Sequence, residues 1–191
     1  MRGKALRGFL LGGLILGLMG CQVSPDLAPS GSDQRPTVTS GTVGYLPGAT
    51  SADFTAFDTL GAIFRLSDQR ATGATPADAT VLYFTMWCPI CSAHADNLLF
   101  TLAPQFAGRG VLRIKLVDYV SGSVAGAAAS EMANGYSPGF ALADVGQTIM
   151  KQYHASMGST IVIDAQGVVR MNEDYRDGSH LAALLDAILP P

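Results

Sequence analysis

The segment Trp87-Cys88-Pro89-Ile90-Cys91 is where residue types and spacing together specify a chemistry. Two cysteines three positions apart can close a disulfide with each other and exchange it with an outside thiol. They stand where the apolar, β-rich run Val81-Leu82-Tyr83-Phe84-Thr85 gives way to a helical pattern. At a helix N-terminus, unpaired backbone N–H groups and the positive end of the dipole favour a thiolate. Cys88 is therefore the expected low-pKa nucleophile, since the thiolate is the reactive form. Cys91, one turn further in, is the expected shielded thiol that resolves a mixed disulfide by attacking Cys88. Pro89 suits the first helical position because its missing N–H would have had no partner there.

The remaining cysteine sits in a different context. Arg2, Lys4 and Arg7 form a positive leader, followed by an apolar stretch from Gly8 to Gly20. That stretch is shorter than the ~20 residues that span a bilayer of ~30 Å. It ends in Leu18-Met19-Gly20-Cys21, which resembles the lipobox of bacterial lipoproteins. The resemblance implies cleavage of residues 1–20 as a signal peptide and lipidation of Cys21, with Gln22 at the next position favouring the outer membrane. Several acyl chains anchor a protein stably where one does not. An ordinary secretory signal, with Cys21 a stray thiol, is the other reading. Of the three cysteines, Cys88 and Cys91 then remain as the pair, in an oxidising compartment where such a close pair is rarely a structural staple.

Residues 21–44 are rich in Ser, Pro, Gly, Thr and Asp and read as a flexible tether, with a folded domain over 45–191. At 48% apolar and 14% charged, the chain can build one proper core and lacks the composition of a disordered protein. No basic stripe suggests a nucleic acid partner. Without the leader, nine basic residues face fifteen acidic ones, a net charge near −6 that suggests no anionic ligand.

The elements that must position the cysteines follow from periodicity. Phe54, Phe57, Leu60, Ile63, Phe64 and Leu66 fit a hairpin turning at Thr59-Leu60-Gly61. Val81–Thr85 fits a buried central strand. Ala95, Leu98, Leu99, Leu102 and Phe106 follow the stripe of an amphipathic helix. Residues 111–117 fit a strand, 122–134 and 146–153 two helices, and Thr160–Ile163 a buried strand. Asp164–Gly167 turns into Val168–Met171, and Leu181, Leu184, Leu185 and Ile188 mark a last helix. Strands separated by helices imply parallel crossovers, closed by an antiparallel hairpin. Asp118, Asp144 and Asp164, at strand or loop ends, are expected to serve turns or caps.

Tyr83 through Cys91 resembles the active-site strand and W-C-x-x-C of thioredoxin-like proteins. Asp53-Phe54 through Gly61 to Leu66-Ser67-Asp68 is similar to the lead-in of their redoxin and TlpA-like branch, and Thr160–Gly167 to its T-x-x-I-D-x-x-G hairpin. The resemblance spans roughly residues 45–189. It implies an α/β thioredoxin-like sandwich, a mixed sheet flanked by helices with an N-terminal hairpin extension. It also implies a thiol–disulfide oxidoreductase whose redox group is the Cys88–Cys91 disulfide, with no bound cofactor. Protein thiols and disulfides, and a membrane or periplasmic redox partner, are the implied partners. Trp87, Pro89, Gly158 and Ser159 fall at the substrate-docking positions, Trp87 as a flat platform or simply as core.

Three departures stand out. Thioredoxins carry a cis-proline before the Thr of the penultimate strand, where this chain has Gly158 or Ser159; a cis bond without proline costs ~2.5–4 kcal/mol, so the loop is expected to run trans. Leu82 stands where thioredoxins bury an Asp. His94 stands where TlpA-like reductases have a Glu six residues after the first Cys. Three residues beyond Cys91, it can share that helix face and take the Cys91 proton in the carboxylate's stead; a surface histidine without a catalytic task is the alternative.

Two rival activities remain open. A thiol peroxidase of peroxiredoxin type is suggested by Thr85, three residues before Cys88, but Val81 replaces the motif's Pro and no Arg stands at Met157, Gly158 or Ser159. A Cu or Zn module could use the thiolates with His94 or His154. Pro-Ile between the cysteines lacks the His of strongly oxidising C-P-H-C centres, which leans the reading toward reduction.

Overall fold

The computed structural model describes residues 38–39 and 41–191. The expected signal segment, Cys21 and most of the tether lie outside the described residues.

The run Ala79–Thr85 forms β3, and all seven of its residues are buried. A strand buried on both faces needs apolar residues at every position rather than alternate ones, and this one splits them between two cores. Val81 and Tyr83 face one cluster with Ala95, Leu98 and Leu185, while Leu82 and Phe84 face the other with Phe64, Ile149 and Ile161. On one side β3 pairs in parallel with β4 (Leu112–Asp118), from Ala79 opposite Leu112 to Thr85 opposite Asp118. On the other it pairs antiparallel with β6 (Ser159–Asp164), which turns back into β7 (Val169–Asp174). Asp164 drives that turn by accepting the N–H groups of Gln166 and Val168 at 3.0 and 2.9 Å.

The expected N-terminal hairpin is β1 (Thr55–Asp58) and β2 (Ile63–Arg65). What joins it to the sheet is a strand the periodicity does not reveal. Ala141-Leu142-Ala143 forms β5, parallel to β4 and antiparallel to β1, completing a seven-stranded order β2-β1-β5-β4-β3-β6-β7. Three residues, two of them alanine, carry neither length nor β-propensity; β5 exists because both neighbours hold its backbone.

Helix α1 (Pro89–Asp96) follows β3 and continues as a π-helical turn, Asn97–Leu102, and a 3-10 turn, Ala103–Phe106. The apolar stripe therefore runs through three helical geometries rather than the one its spacing suggests. Pro104 lacks an N–H and cannot extend an α-helical ladder, yet Ala95, Leu98, Leu102 and Phe106 still reach one core. The other helices are α2 (Val124–Ala133), α3 (Thr148–Tyr153) and α4 (Ser179–Ile188). Asp144 starts α3 by accepting the N–H groups of Ile149 and Met150. Near the start of the described chain, Thr42 and Gly44 already bond to Thr50, and Gly48 donates to the Val169 carbonyl at 2.8 Å.

One buried acid ties β5 and the hairpin to α2. Glu131 is fully buried on α2. Its Oε1 accepts the Ala141 N–H at 2.7 Å, and its Oε2 accepts the Thr59 hydroxyl and, at 3.3 Å, the Gly139 N–H. Replacing it strands donors that water cannot reach. Glu131→Ala is expected to lower the unfolding free energy by about 2–4 kcal/mol, and Glu131→Gln by less, in urea denaturation. An alanine variant within 0.5 kcal/mol of the parent would refute the clamp.

Candidate functional site

The redox pair forms where β3 meets α1. Cys88 is the N-cap of α1 in an extended conformation, and its Sγ accepts the Cys91 N–H at 3.3 Å. Pro89 holds the first helical position, as its chemistry favours. The two cysteines are joined as a disulfide with Cα atoms 5.0 Å apart. Their exposures differ in a way that matters for exchange. Cys91 is fully buried, whereas Cys88 is partly open to solvent and is the sulfur an outside thiol can reach. The capping N–H points at that same sulfur and would stabilise its thiolate.

The turn that presents the pair depends on Trp87. Its φ of 61° is left-handed, which costs a bulky residue about 1–3 kcal/mol. Two hydrogen bonds hold it there: the Trp87 N–H donates to Thr85 Oγ1 at 3.0 Å, and the indole N–H donates to Asp118 Oδ2 at 2.6 Å. Asp118, 1% exposed, also accepts from the N–H groups of Val120 and Ser121 and from the Ser121 hydroxyl. It thus serves the turn expected of it and also grips the redox loop, a second task that its residue type and spacing alone do not reveal. The available signal was topological: once β3 and β4 are taken as parallel neighbours, Thr85 lies opposite Asp118. The Trp87 ring lies 6.0 Å from that of Tyr136, whose single hydroxyl proton is shared between Asp96 Oδ1 at 2.9 Å and the Ser92 carbonyl at 3.2 Å. Tyr136, missed in the sequence, therefore fixes the outer side of α1. Burial, with the Asp96 hydrogen bond, pushes its pKa well above that of a free phenol.

His94 lies one turn beyond Cys91. Its Nδ1 is 3.1 Å from the Tyr83 hydroxyl, and its ring lies 4.9 Å from that of Tyr175. Partial burial lowers its pKa below the ordinary imidazole value. Burial raises the Tyr83 pKa, with the neighbouring phenols adding to the effect, and pushes that of Tyr175 up to about 12. Neither phenol was singled out in the sequence; Tyr83 read only as part of a buried strand.

The Gly158 loop comes to the same end of the sheet. The Gly158 N–H donates to the Phe84 carbonyl at 3.0 Å, and its own carbonyl accepts the Tyr175 N–H at 2.9 Å. Its φ of +84° suits glycine. Ser159 opens β6, and its Oγ accepts the Ser156 N–H at 2.9 Å. No cis peptide bond occurs among the described residues, so this loop runs trans as expected. Met86, Ile90 and Met157, in the segments that meet here, are 46%, 52% and 38% exposed.

Leu82, at the position of the buried thioredoxin carboxylate, is fully buried as leucine. His154 stacks on Tyr45, with ring centroids 4.1 Å apart. Among the described residues, no three His, Cys, Asp or Glu side chains gather in a metal-binding group.

Because the chain has a single tryptophan, its fluorescence reports the loop directly. Asp118→Ala is expected to red-shift that emission and to cost about 2–3 kcal/mol of stability, since it orphans several donors. Unshifted emission would show that Asp118 does not hold Trp87.

No protein-family model matches this chain, and no curated protein does. Solved structures do. A candidate protein disulfide isomerase from Bacteroides thetaiotaomicron is 19% identical, with 78% of this chain and 94% of that one covered and a TM-score of 0.62. The peroxidoxin BcpB from Mycobacterium tuberculosis is 25% identical over 74% of this chain and 97% of its own, with a TM-score of 0.57. A secreted Mycobacterium tuberculosis disulfide oxidoreductase homologous to E. coli DsbE is 19% identical over 70% and 95%, at 0.51. The mixed sheet, its flanking helices and the Cys-x-x-Cys at the β3–α1 junction give this chain the thioredoxin-like fold.

Proposed function

We propose that this chain is a thiol–disulfide oxidoreductase that exchanges electrons with protein thiols through Cys88 and Cys91. The observation that carries the reading is the unequal setting of the two sulfurs: Cys88 capping a helix and open to solvent, Cys91 sealed beneath it.

In the reducing direction, which the Pro-Ile pair favours, the Cys88 thiolate attacks a substrate disulfide. One substrate sulfur leaves as a thiolate, and a mixed disulfide joins Cys88 to the other. Cys91 then attacks Cys88 Sγ, the second substrate sulfur departs, and the Cys88–Cys91 disulfide forms. Two electrons pass to the substrate, and a donor thiol from a membrane or periplasmic partner restores the pair. His94 is the residue we assign to handling the Cys91 proton. Trp87 and Pro89 form the docking rim, with Met86, Ile90 and Met157 supplying apolar contact for an extended peptide, while Gly158 and Ser159, expected to dock substrate, are buried and support that rim from within.

The N-terminal sequence places this activity in the cell envelope in our reading. Residues 1–20 would be removed, Cys21 lipidated, and the domain over 45–191 would face the periplasm on the tether 21–44, on the outer membrane by the Gln22 rule. The structural likeness to a peroxidoxin brings thiol peroxidase activity into consideration. Against it, the Thr85 hydroxyl accepts the Trp87 N–H and so serves the loop.

Cys91→Ser is expected to accumulate mixed disulfides on Cys88 that dithiothreitol releases, and Cys88→Ser to abolish both trapping and reduction of a model protein disulfide. Trapping on Cys91 in the Cys88→Ser variant instead would reverse the assigned roles.

A further inference from the structure

Tyr83 presents a problem of hydrogen-bond accounting. Its side chain is fully buried on the α1-facing side of β3. Among the described residues, its hydroxyl has one hydrogen-bond partner, Nδ1 of His94. A phenol proton left without an acceptor in such a place costs about 1–3 kcal/mol. The proton therefore goes to Nδ1, whose lone pair must be free to take it, and the ring proton of neutral His94 must sit on Nε2.

We propose that Tyr83 is a positioning residue that holds His94 as a neutral Nε2–H imidazole in the oxidised protein. A group that approaches the Nε2 side of His94 then meets a hydrogen-bond donor, and the ring takes up a proton only when Tyr83 gives up Nδ1. The inference rests on the reading of His94 as a participant in the exchange, and in the oxidised protein it makes the ring a hydrogen-bond donor where that reading made it a proton acceptor. An incoming thiolate attacks Cys88 Sγ, the S–S bond breaks, and its electron pair passes to Cys91 Sγ. An Nε2–H imidazole can hydrogen-bond to a thiolate without proton transfer, since loss of that proton would leave an imidazolate. For His94 to accept a proton, Nδ1 must be protonated, and the Tyr83 hydroxyl must then turn its own proton elsewhere in the core.

The surroundings agree with this assignment. From β3 the ring faces Tyr83, and from the segment after β7 it faces Tyr175. The Tyr175 hydroxyl is committed to Asn97 Oδ1 at 2.6 Å, with Asp177 two residues further on. On the helix itself the nearby ionisable groups are Cys91, in the disulfide, and Asp96, held by Tyr136. Among the described residues no ion pair involves His94. Burial favours the neutral imidazole and the protonated phenol alike.

The test is nitrogen-15 NMR of histidine-labelled oxidised protein across roughly pH 5 to 9, where an imidazole titrates, with His94 assigned through His94→Gln. The parent is expected to show an unprotonated Nδ1 and a protonated Nε2 throughout the neutral range. Tyr83→Phe keeps the ring and removes the donor; it should average the two nitrogen shifts and raise the His94 midpoint by roughly one pH unit. Tyr175→Phe, whose hydroxyl serves Asn97, should keep the parental signature and control for packing. The rate at which dithiothreitol reduces the disulfide should show its pH inflection moved by the same amount in Tyr83→Phe. A parental Nδ1–H tautomer, or a Tyr83→Phe spectrum identical to the parent, would overturn the positioning role, and an unmoved rate profile would overturn its part in exchange. If instead the Cys88–Cys91 pair proved unable to re-form, the oxidoreductase reading would fail while the tautomer result stood.

Discussion

A helix that begins where a buried strand ends leaves N–H groups with no partner inside the helix. Here Cys88 supplies one, with its sulfur accepting the Cys91 N–H at the first turn of α1. That single constraint joins structure to chemistry, because the group that caps the helix is the group we assign as the nucleophile of the reduced pair. Much of the neighbourhood serves to keep the strand-to-helix turn in place. Trp87 adopts a left-handed backbone to make the turn, and Thr85 and Asp118, at the ends of adjacent parallel strands, hold it there. The buried β3 in turn is positioned by two apolar cores, one on each face. The redox loop is thus anchored to a strand that is buried along its whole length.

The face of α1 that meets the sheet has a second layer of polar order. Tyr83, His94, Tyr175 and Asn97 run from the central strand across the helix to the segment after β7. The Gly158 carbonyl accepts the Tyr175 N–H, so this aromatic group is connected by backbone to the Gly158 loop. With Leu82 in place of a buried carboxylate and a trans Gly158 loop in place of a cis-proline, the chain keeps the architecture while changing the groups around its sulfurs. His94 and its phenol partner are polar groups on the α1 side of the sheet, the face opposite Leu82.

Most of the scaffold was legible because it depends on local pattern. The continuous apolar run of β3, the stripe through Leu98 and Leu102 and the Asp-Ala-Gln-Gly turn each specify an element from a short window. What was not legible depends on partners distant in sequence. β5 has three residues and forms because β1 and β4 flank it. The π and 3-10 turns after α1 keep the spacing of an ordinary helix within one core, so the stripe could not reveal them. In the site, the Cys-x-x-Cys and its Pro declared their positions. The second task of Asp118 requires knowing that β3 and β4 are neighbours, and the bond from Tyr83 to His94 requires the strand and helix to be packed. Glu131 gave no sign either, since its burial depends on α2 lying over β5 and the hairpin.

The central claim is that Cys88 and Cys91 form a reversible two-electron centre that works as a reductant. Its most direct test is the equilibrium potential of the pair, read by thiol trapping of metal-free protein in dithiothreitol and glutathione buffers. The account predicts full reversibility and a value well below about −200 mV, nearer the ~−270 mV of thioredoxin. A value near −120 mV would mark an oxidant and contradict the direction assigned here; a pair that could not be cycled at all would contradict the function itself.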